Sequence, residues 1–389
     1  MKILMLAPQP FFEPRGTPFS VLGRLKALSE LGHEVDLLTY HLGQDVAVPN
    51  LVIYRTPYIR FIKTVKIGPG LTKLFLDILL FAKAFDLLRK GRYDLLHTHE
   101  EASFFGILLT KFFRIRHLYE MHSSLPQQLN NFQFTRFRPL VRFFEWLEYR
   151  AINSSNAVIT ICPALEEHVK KVYGHARGVM IENVPSEDYP EAMTEEDVGK
   201  LKAAYSLNGE KIILYTGTFE PYQGLSLLIS SAAKILRQRQ DVVFLLVGGK
   251  LDQVRYYQNW VNRLGLSSHF YFTGTRPAEE IPGFVRISQI LVSPRISGTN
   301  TPLKIYPYLQ SGKPIIATNI YSHTQVLNPN VAVLVDPNPE AFARGILAVL
   351  GNLSLASNLG TQARMLSKER YNFQAFIQKT ADVLQMAMG

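Results

Sequence analysis

The sequence predicts an α/β fold with two domains, each built on a doubly wound parallel sheet. Short apolar runs, turns and amphipathic helical patterns alternate along the chain, which is typical of parallel strands covered by helices on both faces. The alternation weakens near the middle of the chain and then restarts, which indicates a second domain. The length of 389 residues also suits two or three domains of ordinary size.

The first half of the chain supplies the first set of alternating elements. Residues 2–7 form an apolar run followed by a loop. From Pro18 onward, apolar residues recur at helical spacing until Gly32, a typical helix stop. Further elements are predicted as strands at 35–40, 95–99, 117–122 and 157–161 and as a helix at 163–173. These elements predict a first domain over residues 1–183.

The second half repeats the pattern after a connector at residues 184–210, where prolines and an acidic group interrupt the alternation. Strands are predicted at residues 212–215, 242–247, 270–273, 290–292, 314–317 and 332–335. Helices are predicted at residues 225–239, 256–264, 306–309, 340–350, 356–368 and 373–388. A second domain therefore covers residues 211–372. Ligands of such sheets bind beyond the carboxyl ends of the strands, so we expect a site in a cleft between the domains.

Composition excludes several classes of protein. Hydrophobic residues at 47% and charged residues at 19% are ordinary for a folded chain and exclude wholesale disorder. Cys162 is the one cysteine, which excludes an intramolecular disulfide and a multi-cysteine zinc site. Neither a secretory signal nor an uncharged stretch of about 20 residues is visible. We therefore expect a cytoplasmic protein, either free or peripheral on the cytoplasmic face of a membrane.

Positive charge is concentrated in the first half. The formal net charge is +10, and residues 55–92 carry nine basic and two acidic side chains. A second run, residues 132–146, mixes arginines with aromatic residues. Basic groups beside exposed aromatics suit an anionic membrane surface, at about 1 kcal/mol for each Lys or Arg. A solvated basic helix face over core aromatics is an equal alternative, and nucleic acid is not an expected partner.

Several common motifs are missing from the sequence. It contains no G-x-G-x-x-G fingerprint, no G-x-x-x-x-G-K-[ST] loop and no G-x-S-x-G elbow. This argues against a dinucleotide-dependent dehydrogenase, a P-loop enzyme and an α/β-hydrolase. His97 and His99 share one face of a predicted strand, but no third ligand has a persuasive spacing. We therefore expect no metal site and no bound cofactor.

The segment before the helix at residues 306–309 has the features of an anion site. The four residues that precede Pro302 are small or polar: Gly298, Thr299, Asn300 and Thr301. Pro302 suits the first turn of a helix, and a helix start offers unpaired N–H groups and the positive end of the dipole. Lys304 is near enough in sequence to reach the same anion. A plain helix N-cap is the alternative interpretation.

Three segments of the second half, in this order, resemble family-4 retaining glycosyltransferases with the GT-B fold, and the resemblance extends over nearly the whole chain. They are residues 215–224 (YTGTFEPYQG), 272–276 (FTGTR) and 293–317. The resemblance implies two Rossmann-like domains facing a cleft, with residues 373–389 packing back on the first domain. It also implies that a nucleotide-sugar donor contacts Gly217, Thr218, Gln223, Arg276, Arg295, Thr299, Asn300, Thr301, Pro302, Leu303 and Lys304.

The resemblance assigns the acceptor side to the first domain. The loop Pro14-Arg15-Gly16-Thr17-Pro18 resembles the loop after the first strand of such enzymes. His122 is similar to the histidine that family members place near the transferred sugar, and it is our catalytic candidate. The candidates for the acceptor side of the cleft are Gly16, Thr17, His99 and Glu100.

Four positions depart from the family pattern. Thr218 and Gln223 stand where members commonly have Arg and Lys, and Thr299 and Pro307 stand where members commonly have glutamates. The expected function is transfer of a sugar from a nucleotide-diphosphate donor to a hydroxyl of a glycan or lipid-linked acceptor, with retention. One alternative, favoured by these replacements, is a non-catalytic member that binds a glycan or a partner protein. The other is a nucleotide-sugar epimerase, which shares the architecture.

Overall fold

The computed structural model describes residues 1–13, 16–65, 70–126, 138–174, 178–184, 194–207 and 209–389. Two units are distinguished by their internal contacts. The first contains Met1–Asn183 together with Phe373–Gly389, and the second contains Val184–Asn372. The terminal helix is therefore part of the first unit, although it follows the second unit in the chain.

The first unit has, within its described residues, a seven-stranded parallel sheet in the order β3-β2-β1-β4-β5-β6-β7. The strands are β1 (Lys2–Ala7), β2 (Glu34–Thr39), β3 (Leu51–Arg55), β4 (Leu95–His99), β5 (Arg116–Met121), β6 (Ala157–Thr160) and β7 (Gly178–Met180). The helices are Gly16–Glu30, Leu71–Lys90, Ala102–Phe113, Arg138–Ser154, Pro163–Tyr173 and Phe373–Met388. The central strand β4 is buried along its whole length, as expected for a sheet covered on both faces.

The second unit has, over the part of it that is described, a six-stranded parallel sheet in the order β10-β9-β8-β11-β12-β13. The strands are β8 (Lys211–Thr216), β9 (Val242–Val247), β10 (Phe270–Gly274), β11 (Ile290–Ser293), β12 (Ile315–Thr318) and β13 (Val333–Val335). The α-helices are Glu195–Ala204, Leu225–Leu236, Leu251–Arg263, Ile281–Ile287, Ile305–Ser311, Tyr321–Thr324, Pro339–Gly351 and Leu353–Arg370. The predicted α/β fold with two doubly wound parallel sheets is confirmed.

The strand order reverses once in each sheet. In the first sheet β1 lies between β2 and β4, and in the second sheet β8 lies between β9 and β11. Adjacent crossovers then leave on opposite faces, which opens a crevice at the carboxyl ends of these strands. The residues that follow β1, β4, β5, β8 and β11 are therefore placed where a ligand of each unit would bind.

The structure differs from the sequence prediction in several short elements. The edge strands β3 and β7 were not predicted, and every residue of both is at least partly exposed. Strand β7 has only three residues, which is too short for a clear pattern, whereas β3 (LVIYR) begins with an apolar run that the prediction missed. The predicted connector contains the helix Glu195–Ala204, which Thr194 starts with a capping box to Asp197. The helix predicted at residues 256–264 begins five residues earlier, at Leu251.

A helix that crosses a membrane needs about 20 consecutive, mostly apolar residues. Among the described residues, no single helix is long and apolar enough to cross a membrane. The helix Pro339–Gly351 and the segment Leu353–Met388 reach that length and apolar content only when they are taken together, and the pair is bent by 100°.

Candidate functional site

The carboxyl ends of β4 and β5 bring together candidates from the first half. The strands are parallel neighbours in which His99 pairs with Glu120, and His122 directly follows β5. The Nδ1 atom of His99 lies 2.9 Å from the Nε2 atom of His122, within hydrogen-bond distance. Glu100, which follows His99 in the chain, accepts a hydrogen bond from the hydroxyl of Ser123 at 2.8 Å. His99, Glu100 and His122 therefore lie at one edge of the sheet.

Three imidazole rings stack along this edge. Successive side chains of a strand point to opposite faces, so His97 and His99 share one face of β4. The ring centroid of His99 lies 4.7 Å from that of His97 and 5.2 Å from that of His122. Burial lowers the pKa of His122 to about 4 and lowers the pKa of His97 and His99 as well. The three rings are therefore neutral near pH 7.

A buried ion pair lies beside these rings. Arg24 donates from Nε to Oε2 of Glu120 at 2.9 Å and from Nη2 to Oε1 at 3.3 Å. The Nε2 atom of His97 lies 3.1 Å from Oε2, and that of His122 lies 3.7 Å from Oε1. Burial by itself would raise the pKa of Glu120, but the Arg24 guanidinium and the neighbouring imidazoles hold that pKa well below its usual range. The carboxylate therefore stays ionised beside His122.

Two helices supply the cation of this pair and its support. Arg24 belongs to the helix Gly16–Glu30, and its Nη1 donates to the hydroxyl of Thr380 in the terminal helix. The guanidinium also lies 4.4 Å from the ring centroid of Phe376. Arg24, Glu120 and Thr380 were not predicted as site residues. The one available signal was that Glu120, in β5, lies two residues before His122, the same spacing that His97 and His99 have on β4.

The loop after β1 is only partly described. Gly16 is exposed and Thr17 half-buried at the start of the helix that carries Arg24. The helix starts two residues before Pro18, the position that the sequence suggested. The preceding Pro14 and Arg15, which belong to the predicted loop, lie outside the described residues.

The histidine cluster also resembles a metal-ligand set. One ligand atom from each of His97, His99 and Glu120 lies within 4.8 Å of the others. However, Arg24 already donates to both carboxylate oxygens of Glu120. A divalent cation would therefore be buried beside a guanidinium, at a high electrostatic cost. The residues present fit an ion-pair network better than a metal centre.

Acidic side chains with raised pKa values extend the same edge. Burial, followed by the charge of Glu101, raises the pKa of Glu100 to about 7. The same two causes raise the pKa of Asp77 to about 7. Tyr40 donates to Asp77 at 2.5 Å, and Lys73 forms an ion pair with Glu101. Near neutral pH these carboxyl groups can both donate and accept hydrogen bonds, which suits a ligand rich in hydroxyls.

In the second unit, close glycine contacts shape the loop after β8. Gly217 has a φ of 136°, and its N–H donates to the carbonyl of Val247 at 2.9 Å. Gly224 has a φ of 75°, and a Cβ at this position would lie 1.9 Å from the carbonyl oxygen of Pro294. This loop therefore packs directly against the segment that opens the predicted donor loop.

The two polar candidates of this loop have different surroundings. The backbone carbonyl of Thr218 accepts a hydrogen bond from the hydroxyl of Tyr215 at 2.6 Å. Gln223 ends a short 3₁₀ turn, Pro221–Gln223. Its Oε1 is buried and has no hydrogen-bond partner in the described part of the chain. That amide oxygen can accept a hydrogen bond from a ligand.

The ammonium group of Lys304 is buried next to the same loop. Its Nζ lies 3.7 Å from the ring centroid of Tyr215, and a Cβ at Gly217 would approach it to 3.1 Å. No described residue accepts a hydrogen bond from this Nζ. Burial, reinforced by the positive charge of Arg295, lowers the pKa of Lys304 well below its usual range. Because an unpaired buried charge is costly, an anionic ligand would stabilise the protonated form.

Arg295 organises the predicted donor loop. Its Nε donates to the carbonyl of Ser297 at 2.7 Å and its Nη1 to the carbonyl of Asn300 at 2.9 Å. The guanidinium also lies 5.1 Å from the ring centroid of Tyr222. The carbonyl of the intervening Thr299 accepts a hydrogen bond from Gln325 at 2.6 Å. Arg295 therefore fixes the loop and adds positive potential near Lys304.

The helix after this loop begins one residue before the predicted 306–309, and its first turn does not include Pro302. It spans Ile305–Ser311, and the N–H of Ile305 donates to the carbonyl of Pro302 at 3.0 Å. Pro302 and Leu303 thus lie in a preceding turn, which the fixed φ of proline suits as well as it suits a first helical turn. Thr301 is buried at the same turn. Because the helix has only seven residues, Lys304 is a better candidate for the predicted anion site than the helix start.

Arg276, the candidate after β10, is held within the second unit. Its Nη2 donates to the hydroxyl of Tyr205 at 2.8 Å, and its Nε lies 3.5 Å from the carboxylate of Glu280. Tyr205 follows the helix Glu195–Ala204. Arg276 therefore joins the end of β10 to that helix.

Two family models match the chain in the same order as the two units. One, described as glycosyltransferase family 4, matches residues 15–184. The other, described as glycosyl transferases group 1, matches residues 198–365. The chain belongs to the family-4 glycosyltransferases of the GT-B type.

This family-4 glycosyltransferase has relatives of moderate and low identity. It is 28% identical to a putative glycosyltransferase, YtcC, of Bacillus subtilis over 59% of this chain and 58% of that relative. The chain therefore spans less than two thirds of that relative's length. It is 23% identical to the phosphatidyl-myo-inositol mannosyltransferase of Mycobacterium leprae over 90% of this chain and 88% of that protein.

The fold of this glycosyltransferase is similar to that of solved GT-B structures. The crystal structure of Anabaena Alr3699/HepE in complex with UDP and glucose matches it with a TM-score of 0.78 at 19% identity. The match covers 99% of each chain. At this level of identity, the likeness shows a common fold.

Proposed function

We propose that this family-4 glycosyltransferase moves a sugar from a nucleotide-diphosphate donor to a hydroxyl of a glycan or lipid-linked acceptor, with retention of configuration. The observation that carries the proposal is the buried side-chain nitrogen of Lys304, which has no hydrogen-bond partner among the described residues. A diphosphate would supply the missing negative charge. The complex of HepE, a protein of the same fold, with UDP and glucose supports this class of ligand.

In the proposed reaction, the bond between the anomeric carbon and the diphosphate oxygen breaks while the acceptor oxygen bonds to that carbon from the same face. The acceptor hydroxyl proton passes to the leaving phosphate. Lys304, with the positive potential of Arg295, would stabilise the charge that develops on the leaving group. His122 would contact the donor sugar and orient it. These groups supply the charge that a metal ion provides in other transferases.

Replacement of Lys304 tests the donor assignment. Isothermal titration of UDP should give roughly 10–150-fold weaker binding for Lys304→Met, because a charge-assisted hydrogen bond contributes about 1.5–3 kcal/mol. Lys313→Met is the matched control. Lys304 directly precedes the helix Ile305–Ser311 and Lys313 follows it. The Nζ atom of Lys313 donates to the carbonyl of Arg286. Equal UDP affinity in wild type and Lys304→Met would reject the assignment.

Product analysis separates transfer from the two alternatives. Wild type incubated with a panel of nucleotide sugars should release nucleoside diphosphate only when an acceptor is present, and His122→Ala should slow that release. Epimerised donor formed without acceptor would indicate an epimerase. UDP binding without any turnover across the panel would indicate a non-catalytic member. The anomeric configuration of the product, read by NMR, decides between retention and inversion.

An anionic membrane surface is the proposed partner on the acceptor side. The helix Leu71–Lys90 exposes four apolar side chains spaced along one face: Leu71, Leu74, Phe75 and Ile78. Phe61, before that helix, is 82% exposed, and Arg60 and Lys63 beside it are also exposed. Such a face would bury its apolar side chains among lipid tails while its cations meet anionic head groups. A lipid-linked acceptor would be presented at that surface.

The second basic-aromatic run is partly described. The helix Arg138–Ser154 exposes Phe143 and Trp146, and the guanidinium of Arg150 lies 5.9 Å from the indole centroid. Residues 132–137 of the run lie outside the described residues. This helix adds a further surface of the kind found at membrane interfaces, where aromatic rings and cations lie side by side.

Vesicle sedimentation tests the membrane contact. Wild type should pellet with phosphatidylglycerol-containing vesicles more than with pure phosphatidylcholine vesicles, and Leu74→Glu/Ile78→Glu should remove the difference. Leu353→Glu is the control, because Leu353 is an 84% exposed leucine in the second unit. Wild type that pellets equally with both kinds of vesicle, or with neither, would contradict the proposal.

A further inference from the structure

We propose that the buried Arg24–Glu120 ion pair positions His122, and that the terminal helix holds this pair in place through Thr380. Arg24 and Glu120 act here as positioning residues, because they reach the reaction only through the imidazole. This inference rests on the proposed function, which assigns His122 to the donor sugar. The site would then include Arg24 and Thr380 from two helices and Glu120 from a strand, in addition to His122.

Glu120 is the centre of the network. Each of its carboxylate oxygens lies near one Arg24 nitrogen and one imidazole: Oε2 near His97 at 3.1 Å, and Oε1 near His122 at 3.7 Å. Both residues of the ion pair are buried. A bidentate guanidinium fixes the plane of the carboxylate as well as its position. The orientation of Glu120, and with it the charge facing His122, is therefore set by Arg24.

His122 is held by the network at one nitrogen. Its Nε2 lies 2.9 Å from Nδ1 of His99 and 3.7 Å from Oε1 of Glu120, and its ring stacks on that of His99. Rotation of the ring would break these contacts together. A misplacement of about 1 Å can reduce the rate of an enzyme by about 100-fold. A network that locks the ring is therefore expected to act on turnover more than on donor affinity.

The terminal helix supports Arg24 from the opposite side. The hydroxyl of Thr380 accepts a hydrogen bond from Nη1, and the ring of Phe376 lies 4.4 Å from the guanidinium. Thr380 in turn donates to the carbonyl of Phe376 at 2.7 Å, which fixes its hydroxyl. The helix Phe373–Met388 directly follows the second unit in the chain. The terminal helix contacts Arg24, and Arg24 orients Glu120 beside His122. The position of His122 therefore depends on a chain segment that follows the second unit.

Conservative variants test the network without leaving a large cavity. Arg24→Lys keeps the charge but loses the bidentate geometry, Glu120→Gln keeps the shape, and Thr380→Val removes one support. We expect kcat to fall by about 10–100-fold for the first two, the range typical of residues that orient a functional side chain by hydrogen bonds, with the donor KM within about twofold of wild type. Thr380→Val should change kcat in the same direction by a smaller factor.

A matched control and a double-mutant cycle separate positioning from general stability. Lys379→Met breaks the 2.6 Å ion pair with Glu182, so it disturbs the same helix next to Thr380 without touching the network. It should leave kcat within about twofold of wild type. In a His122→Ala background, Arg24→Lys should cause no further loss of kcat, because residues that act through one group are not additive. Multiplicative losses, or a loss in Lys379→Met equal to that in Arg24→Lys, would overturn the proposal.

A second measurement does not depend on turnover. The imidazole ¹⁵N resonances of His122 should shift in Arg24→Lys, Glu120→Gln and the charge-free double variant Arg24→Met/Glu120→Gln, and they should stay unchanged in Lys379→Met. Unchanged His122 resonances in all three network variants would refute the network itself. If wild type showed no turnover but the resonances shifted as expected, the proposed function would fail while the network stood.

Discussion

Binding of a diphosphate is expected to draw a proton onto Lys304. In the ligand-free protein, burial and then the charge of Arg295 lower the pKa of Lys304 well below its usual range. A bound diphosphate favours the charged ammonium and raises that pKa. Between the two pKa values, binding therefore takes up a proton. The affinity for the diphosphate should weaken as the pH rises through the pKa that Lys304 has in the free protein. It should level off above the pKa that Lys304 has in the complex.

The size of the effect follows from the contacts of the ammonium group. Its Nζ lies against the Tyr215 ring and beside Gly217, without a hydrogen-bond partner in the described structure. A charge-assisted hydrogen bond contributes about 1.5–3 kcal/mol, so loss of the charge should weaken binding by roughly 10–150-fold. One titrating group limits the pH dependence to about tenfold in affinity for each pH unit.

Calorimetry of UDP binding in two buffers with different ionisation enthalpies measures this proton directly. At pH 8–9 the phosphates of UDP are fully ionised, since their last pKa is about 6. Wild type and the control Lys313→Met should take up a fraction of a proton, and Lys304→Met should take up none. Uptake that persists unchanged in Lys304→Met would refute the reasoning, because another group would then be titrating.

The remaining predictions concern stability. Gly224→Ala should destabilise the second unit by about 1–3 kcal/mol more than Gly265→Ala in denaturant unfolding. Both glycines have positive φ, but only at Gly224 would the new Cβ meet a carbonyl oxygen at 1.9 Å; equal losses would contradict this. Burial lowers the pKa of His117 to about 3. The stability that the neutral, buried imidazole contributes is therefore lost as the pH falls below about 6.5, the pKa of histidine in the unfolded chain. Between pH 7 and pH 5, the unfolding free energy of wild type should therefore fall by about 2 kcal/mol more than that of His117→Gln. A difference between the two proteins that does not change with pH would show that His117 is not neutral and buried.

The site could be located from the sequence more readily than its chemistry. His99 and His122 end predicted strands, and parallel strands place such residues at one edge of a sheet. The partners of these histidines were not recognisable in the same way. Arg24 and Glu120 are 96 residues apart, and Arg24 and Thr380 are 356 residues apart. An arginine in an amphipathic helix and a glutamate in a strand look like surface residues until the packing brings them together.

Local periodicity determined the α/β class and the doubly wound sheets, because strand and helix patterns depend on near neighbours in the chain. The donor-loop segments came from the resemblance to a family, which likewise rests on short stretches of sequence. Tertiary structure alone decided three things: that Lys304 is buried with no hydrogen-bond partner among the described residues, that Arg295 holds its own loop by hydrogen bonds, and that the helix at Ile305 starts after Pro302. Burial and charge pairing depend on residues distant in sequence, and they set the pKa values and the geometry on which the proposed chemistry rests.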